Sequence, residues 1–412
     1  MASLLDAHQA ERFSDIQDSI LAQVVQTRHK VDGLSDLVQS LVSALHTSNN
    51  VTSIADRKYL GLSRFKTLSV AIENESASER LLLHPNLQRC LASREPLPTN
   101  NLKLDTPGTT THAMPSSAFF RSGGTYNGEA VWIEWREYLP SDSGLPPKYV
   151  QDRISKLAIL LREGQTQTEF ITPQCLGYVH EPNIPRFGFV FKRSRSSGNP
   201  VPTSLSELLE ATQKPPLTAR VEVARIITTS LWYLHAVDWL HKGIRSENIL
   251  FEDEGHLSQP LLSGFDYSRP AKPGEITDGA TQNRRHDLYR HPGVQFDSPR
   301  DGKYGYRMVH DVYSLGVVLF EIGVWRSIDR FLDIPPGEEV PLSVARGVGA
   351  RLLSDQCFAQ LAAEGGNIYA SCVRFCLDRD INCTAAPIQG ESEHLHRTME
   401  DVVLAGLQSI KV

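Results

Sequence analysis

The sequence predicts an α+β fold in two lobes, preceded by a helical segment, and three observations carry that expectation. Apolar residues recur at heptad spacing through the first fifty positions. A Pro-, Thr-, Asn- and Ser-rich stretch without periodicity follows. Beyond it, short strand-like runs with one amphipathic helix among them give way to a long helical half. The divisions fall at 1–93 for the helical segment, 94–117 for a linker, 118–195 for a strand-bearing first lobe and 196–412 for a helical second lobe.

In the first segment Phe13, Ile20, Val24, Val31, Leu34, Val38, Leu41 and Leu45 occupy the a and d positions of one heptad frame, with Gln17 and Thr27 as exceptions. Two readings stand side by side: a helix packed on its neighbour, or a coiled coil that self-associates through residues 13–45 or docks a partner. Gly33 weakens the helix, and Thr47-Ser48-Asn49-Asn50 ends it. Leu60, Leu62, Phe65, Leu68 and Ile72 mark a second helical stretch. After the linker, Ala118-Phe119-Phe120 and Glu129 to Trp135 read as strands, with Asn127-Gly128 as a tight hairpin turn. Gln151 to Arg162 is an amphipathic helix through Ile154, Leu157, Leu160 and Leu161, and strands follow around Cys175–Val179 and Phe187–Phe191. Past Pro202 the chain turns helical, with a long helix from about Thr218 to His235.

Composition narrows the class. Of 412 residues, 40% are hydrophobic and 22% charged, the balance of a soluble globular chain. No apolar run approaches the roughly 18 residues of a transmembrane helix, and the N-terminus lacks a secretory pattern. A net charge of −6 gives no support for nucleic-acid binding. Six scattered cysteines make no disulfide framework. Cys372 and Cys376, one helical turn apart beside Val373 and Leu377, read as buried thiols, since their spacing to Cys383 fits no common zinc site. The expectation is a reduced, cytoplasmic protein without a membrane span. The basic runs Lys192-Arg193-Ser194-Arg195 and Arg284-Arg285-His286 read as solvated loops, with docking of an acidic partner as the alternative.

The helical half carries Trp239-Leu240-His241-Lys242-Gly243-Ile244-Arg245-Ser246-Glu247-Asn248-Ile249-Leu250-Phe251, which resembles the protein-kinase catalytic loop H-R-D-L-x-x-x-N. Leu262-Ser263-Gly264-Phe265-Asp266 stands where kinases have the D-F-G segment, and Tyr289-Arg290-His291-Pro292-Gly293 is similar to the A-P-E region. Asp311 to Glu321 matches the central helix of the kinase second lobe, and Cys376-Leu377 a helix end near the kinase C-terminus. Five such segments in order, over roughly residues 115–410, imply a two-lobed protein-kinase-like fold. The wording of the second lobe is similar to kinase-like domains of filamentous fungi that often follow a HeLo-type, prion-inhibition helical domain. Residues 1–90 are too short for a whole domain of that kind, so its membrane-disrupting activity is not carried over.

The resemblance also implies what is missing. Kinase catalysis needs a phosphate-positioning Lys, a Glu that holds it, an Asp as base, and an Asp and an Asn for magnesium. Here the base position is Gly243, the metal-carboxylate position is Gly264, and Val131-Trp132-Ile133-Glu134 puts Glu134 at the Lys position. Asn248 matches the second metal ligand, and Asp266 is its candidate companion. ATP and magnesium would rest on those two alone. Trp132, at the adenine roof, should fill the nucleotide pocket. Arg121 to Thr125, at the place of the phosphate-covering loop, has two glycines but no G-x-G-x-x-G, and reads as a turn in a hairpin loop rather than a phosphate cradle. His241 and Asp311 keep structural roles, Asp311 capping the loop backbone. Lys156, with Arg153 one turn earlier, falls at the position of the helix Glu and should form a reversed ion pair with Glu134. No ion pair is expected between Gly293 and the segment 380–388, where Thr384 replaces an Arg, and Arg379 should not supply one. The pattern reads as a pseudokinase acting through protein contacts. The alternatives are an unconventional phosphotransferase using Asn248, Asp266 and Arg136, and a nucleotide sensor without turnover.

Overall fold

In the computed structural model the chain divides into two compact units, 1–97 and 98–412. The structure describes residues 62, 66, 69, 104, 109–112, 121–138, 148–164, 169–193, 201–211, 213–252, 257–271, 283–296, 305–378 and 391–411. In the first unit these are Leu62, Lys66 and Ser69, all helical. The heptad region 13–45 lies outside the described residues.

The second unit is mixed helix and sheet. Its five-stranded antiparallel sheet comprises β1 (Thr109–His112), β2 (Arg121–Tyr126), β3 (Glu129–Glu137), β4 (Cys175–Glu181) and β5 (Arg186–Lys192), in the order β1-β2-β3-β5-β4. Asn127 and Gly128, with φ of 50° and 78°, make the two-residue turn between β2 and β3. Positive φ at both positions suits the right-handed twist of paired strands, and Asn-Gly adopts it at little cost. The turn fixes the register: Tyr126 faces Glu129, Gly123 faces Trp132 and Arg121 faces Glu134.

Two expectations are corrected here. Residues 121–125, expected as a turn in a degenerate phosphate loop, form strand β2, because the chain reverses at Asn127-Gly128 instead. Part of the stretch expected as linker is also structured. Thr109–His112 is the edge strand β1, favoured by three consecutive β-branched threonines. The Leu104 N–H donates to the carbonyl of Tyr178 on the far edge at 2.8 Å. Its side chain packs on the cluster of Val131, Ile133, Trp135, Val179 and Val190.

Helix α1 (Lys148–Gly164) follows β3 and buries Val150, Ile154, Leu157 and Leu161, spaced three or four residues apart along one face. A capping box starts α2 (Leu205–Ala211): the Ser204 N–H donates to Glu207 Oε2 at 2.7 Å while the Glu207 N–H donates to Ser204 Oγ at 3.2 Å. The helical core is built on α3 (Leu217–Ala236) and α4 (Met308–Val324), the latter buried all round. Helices α5 (Ile328–Phe331), α6 (Leu342–Leu352), α7 (Asp355–Gly365) and α8 (Asn367–Asp378) follow. Arg220 of α3 donates to the carbonyls of Gly323 and Glu364, and Tyr369 Oη of α8 donates to the Leu319 carbonyl at 2.7 Å, so α3, α4, α7 and α8 are tied by hydrogen bonds as well as packing.

Cys372 and Cys376 are buried thiols of α8 that form no disulfide among the described residues. Among the described residues no cluster can hold a metal ion, and no helix is long and apolar enough to cross a membrane. Cys90, Cys383, Arg379 and Thr384 lie outside the described residues, as does any contact between Gly293 and residues 380–388.

Candidate functional site

The loop His241–Asn248 is positioned by Asp311 on α4. The Asp311 carboxylate accepts the N–H groups of His241 at 2.7 Å and Lys242 at 2.8 Å, the Tyr306 hydroxyl at 2.8 Å, and faces His235 Nε2 at 3.1 Å. Burial alone would raise its pKa, but His235, His241 and the backbone donors outweigh it and hold the carboxyl below the ordinary Asp value. The group is therefore an ionised, fully buried anchor. His241 is buried against Phe265, with ring centroids 4.6 Å apart, and burial pulls its pKa down to about 4. The neutral ring accepts the Gly243 N–H at Nδ1, 3.2 Å away.

Gly243, Asn248 and Gly264 are in contact. Asn248 is buried and its Nδ2 donates to the Gly243 carbonyl at 2.7 Å. Gly264 has φ of +79°, and a Cβ there would lie 2.0 Å from Asn248 Nδ2. A Cβ on Gly243 would lie 2.8 Å from the Gly264 carbonyl oxygen. Neither position accepts a carboxylate side chain unless the loop moves, because Asn248 and the 264 backbone already fill the space.

Glu134 reaches the same place from β3. Its Oε1 accepts Ser263 Oγ at 2.6 Å, and the Gly264 N–H lies 3.2 Å from each carboxylate oxygen. Its ionic partner is Arg121, with Nη2 at 2.7 Å and Nε at 2.8 Å from Oε1. The expected pair with Lys156 is thus corrected: Lys156 on α1 is part-exposed and makes no ion pair among the described residues, and its fallback Arg153 is buried. The reason is local. Arg121 stands directly across the hairpin from Glu134, whereas Lys156 would have to reach in from another layer.

Arg121 continues across the site. Its Nη1 donates to the Glu247 carbonyl at 2.9 Å and its Nη2 to Asn248 Oδ1 at 2.8 Å. The oxygen that a magnesium ion would need from Asn248 is therefore bound to a guanidinium, whose positive charge repels a cation. Among the described residues, the side chains at this place do not fit a kinase metal site. Beside this network Trp132 is fully buried and stacked on Phe191, ring centroids 4.6 Å apart, on the same face of β3 as Glu134. Arg136 is buried too, its guanidinium 5.8 Å from the Tyr267 ring. The side chain of Asp266 lies outside the described residues.

No family model matches the chain. Over 104 residues the chain is 33% identical to a probable serine/threonine-protein kinase, PBL20, of Arabidopsis thaliana, a match that spans 25% of this chain and 24% of that protein. That match supports a protein kinase-like region over about a quarter of the chain. The comparison covers about a quarter of the plant protein's length. Within the described residues, Gly243, Gly264, Glu134, Asn248, His241 and Asp311 come together, Trp132 lines the same face, and Lys156 stays apart. Arg121 and Ser263 complete the network and were not singled out from the sequence. Counting back from the Asn127-Gly128 turn identifies Arg121 as the neighbour of Glu134.

A second polar chain lies behind the loop. Tyr289 Oη meets Ser246 Oγ at 2.6 Å and donates to Glu321 Oε1 at 2.8 Å, which also accepts the Ile328 N–H at 2.7 Å. Glu321 is fully buried, and burial pushes its pKa up to about 8.

Proposed function

We propose that residues from about 118 to 412 form a two-lobed kinase-like domain without phosphotransfer activity, a pseudokinase that serves as a signalling or scaffold module through protein–protein contacts. One observation carries the reading: at the base, metal-carboxylate and phosphate-lysine positions stand Gly243, Gly264 and Glu134, and the space that the two carboxylates would need is filled. A general base contributes about 10²- to 10⁴-fold, and electrostatic clamps a similar factor each. Losing base, metal carboxylate and lysine together leaves little rate above background, even though such losses do not multiply. Trp132 in the place of a small roof residue supports a cleft that takes no adenine. On this reading the partner is a protein and the domain is of the fungal kinase-like type, working in the cytoplasm, with residues 13–45 serving either to pack on neighbouring helices or to self-associate.

A thermal-shift titration of the full chain with ATP, with and without magnesium, tests this. A ligand at 100 times its dissociation constant stabilises a fold by about 2.7 kcal/mol. The expected result is no shift. A magnesium-dependent shift would sink the reading and favour phosphotransfer; a magnesium-independent one would favour a nucleotide sensor.

A further inference from the structure

We propose that Arg121 is a built-in latch: its guanidinium ties the β2–β3 hairpin to the loop 243–248 and to the segment 263–264, so the cleft between sheet and helical region is held shut by the chain itself. The inference rests on the proposed non-catalytic reading, and it assigns the closed state to one residue.

Three features of the geometry carry it. First, the guanidinium forks. Nε and Nη2 serve Glu134, Nη1 serves the Glu247 carbonyl and Nη2 also serves Asn248 Oδ1, all at 2.7–2.9 Å. Only a planar group with several fixed donors can satisfy acceptors on both sides of a cleft at once; an ammonium cannot reproduce that fork. Second, the contacts are sheltered. The side chains of Arg121 and Glu134 are 10% and 5% exposed, so water competes weakly for their hydrogen bonds. Third, each partner is itself fixed on the far side. Glu134 accepts Ser263 Oγ and the Gly264 N–H, and Asn248 donates to Gly243. The latch therefore closes a continuous circuit: β2 to β3 through Arg121 and Glu134, β3 to 263–264 through Glu134, and β2 to the loop through Arg121 and Asn248. Removing Arg121 takes the β2 contacts away and leaves Glu134 buried without its counter-charge.

Hydrogen exchange of the full-length chain, read by mass spectrometry, tests the latch. In Arg121→Ala, exchange in segments 121–137, 246–252 and 261–268 should accelerate by about tenfold or more, while α4 and α8 stay near the wild-type rates. Arg121→Lys, which keeps the charge without the fork, should fall between. Wild-type exchange in all three segments of Arg121→Ala would overturn the proposal. So would a uniform acceleration that includes α4 and α8, since that reports general destabilisation. If Arg121→Ala does not fold, Arg121→Lys and Asn248→Ala are judged by the same segments. An added arm of wild-type protein with ATP and magnesium separates the two readings. Protection by nucleotide would count against the non-catalytic reading, whereas the variants alone decide the latch.

Discussion

Glu321 shows how much a single buried carboxyl can weigh. A fully buried residue of α4, it accepts hydrogen bonds from Tyr289 and Ile328 yet has its pKa raised to about 8 by burial. The unfolded chain releases this proton near the ordinary Glu value, whereas the folded chain keeps it until about pH 8. The folded state therefore binds more protons across that window, and stability falls as pH rises from about 4.5 to about 8, flattening above. The amplitude is a few kcal/mol. Melting curves of wild type and Glu321→Gln across that range should diverge, with the Gln variant showing the shallower slope; parallel curves would show that Glu321 does not titrate there. Gly264 makes a second residue-scale case. An Asp at that position meets a left-handed backbone and an Asn248 side chain 2.0 Å from its Cβ. Gly264→Asp should lose about 2–4 kcal/mol in urea unfolding and gain no phosphotransfer.

At the scale of the element, the β2–β3 hairpin explains both what could be read from the sequence and what could not. The Val131-Trp132-Ile133 run of β3 and the Asn-Gly turn made the hairpin legible, and with it, through the two-residue repeat of a strand, the shared face of Trp132 and Glu134. The partner of Glu134 was legible by counting: with Tyr126 opposite Glu129, equal steps outward reach Arg121 and Glu134. The kinase pattern pointed to Lys156 instead, because it supplies a helix partner for a lysine and says nothing about which strand neighbour an inverted charge would choose. Strand β1 was hidden for another reason. Thr109–His112 is an edge strand made of polar residues, so it carries no hydrophobic period to detect. The approach of 263–264 to β3 joins positions about 130 residues apart, which no local pattern encodes. Trp132 supplies the element's prediction. Its indole is fully buried on Phe191, yet its Nε1–H finds no acceptor among the described residues. Trp132→Ala should cost about 3–5 kcal/mol through the cavity it leaves. Trp132→Phe should cost far less, since it keeps the ring and removes an unsatisfied donor. Equal losses in chemical denaturation would mean that ring packing is not what the site requires.

Within the second unit, Arg121, Glu134, Asn248, Ser263 and Gly264 form one polar network between the sheet and the helical region. Its members should be energetically coupled. Arg121→Ala and Glu134→Ala, measured singly and together by urea unfolding, should be non-additive by about 1–3 kcal/mol, while Glu134→Ala with Lys156→Ala should add within about 0.5 kcal/mol. The opposite outcome, additivity for Arg121 and coupling for Lys156, would restore the kinase-like helix pair and remove the hairpin pair.

The left-handed turn at Gly264 also constrains the routes open to this sequence over generations. A phosphotransfer site would need acids at 243 and 264, and each meets atoms already in place, Asn248 above all. Asn248 could give way only by letting go of Arg121 and of the Gly243 carbonyl. An acid introduced singly at 243 or 264 therefore costs stability before the other can act with it. Substituting both positions together would have to displace Asn248 and the 264 backbone at once, so the two sites are sterically linked.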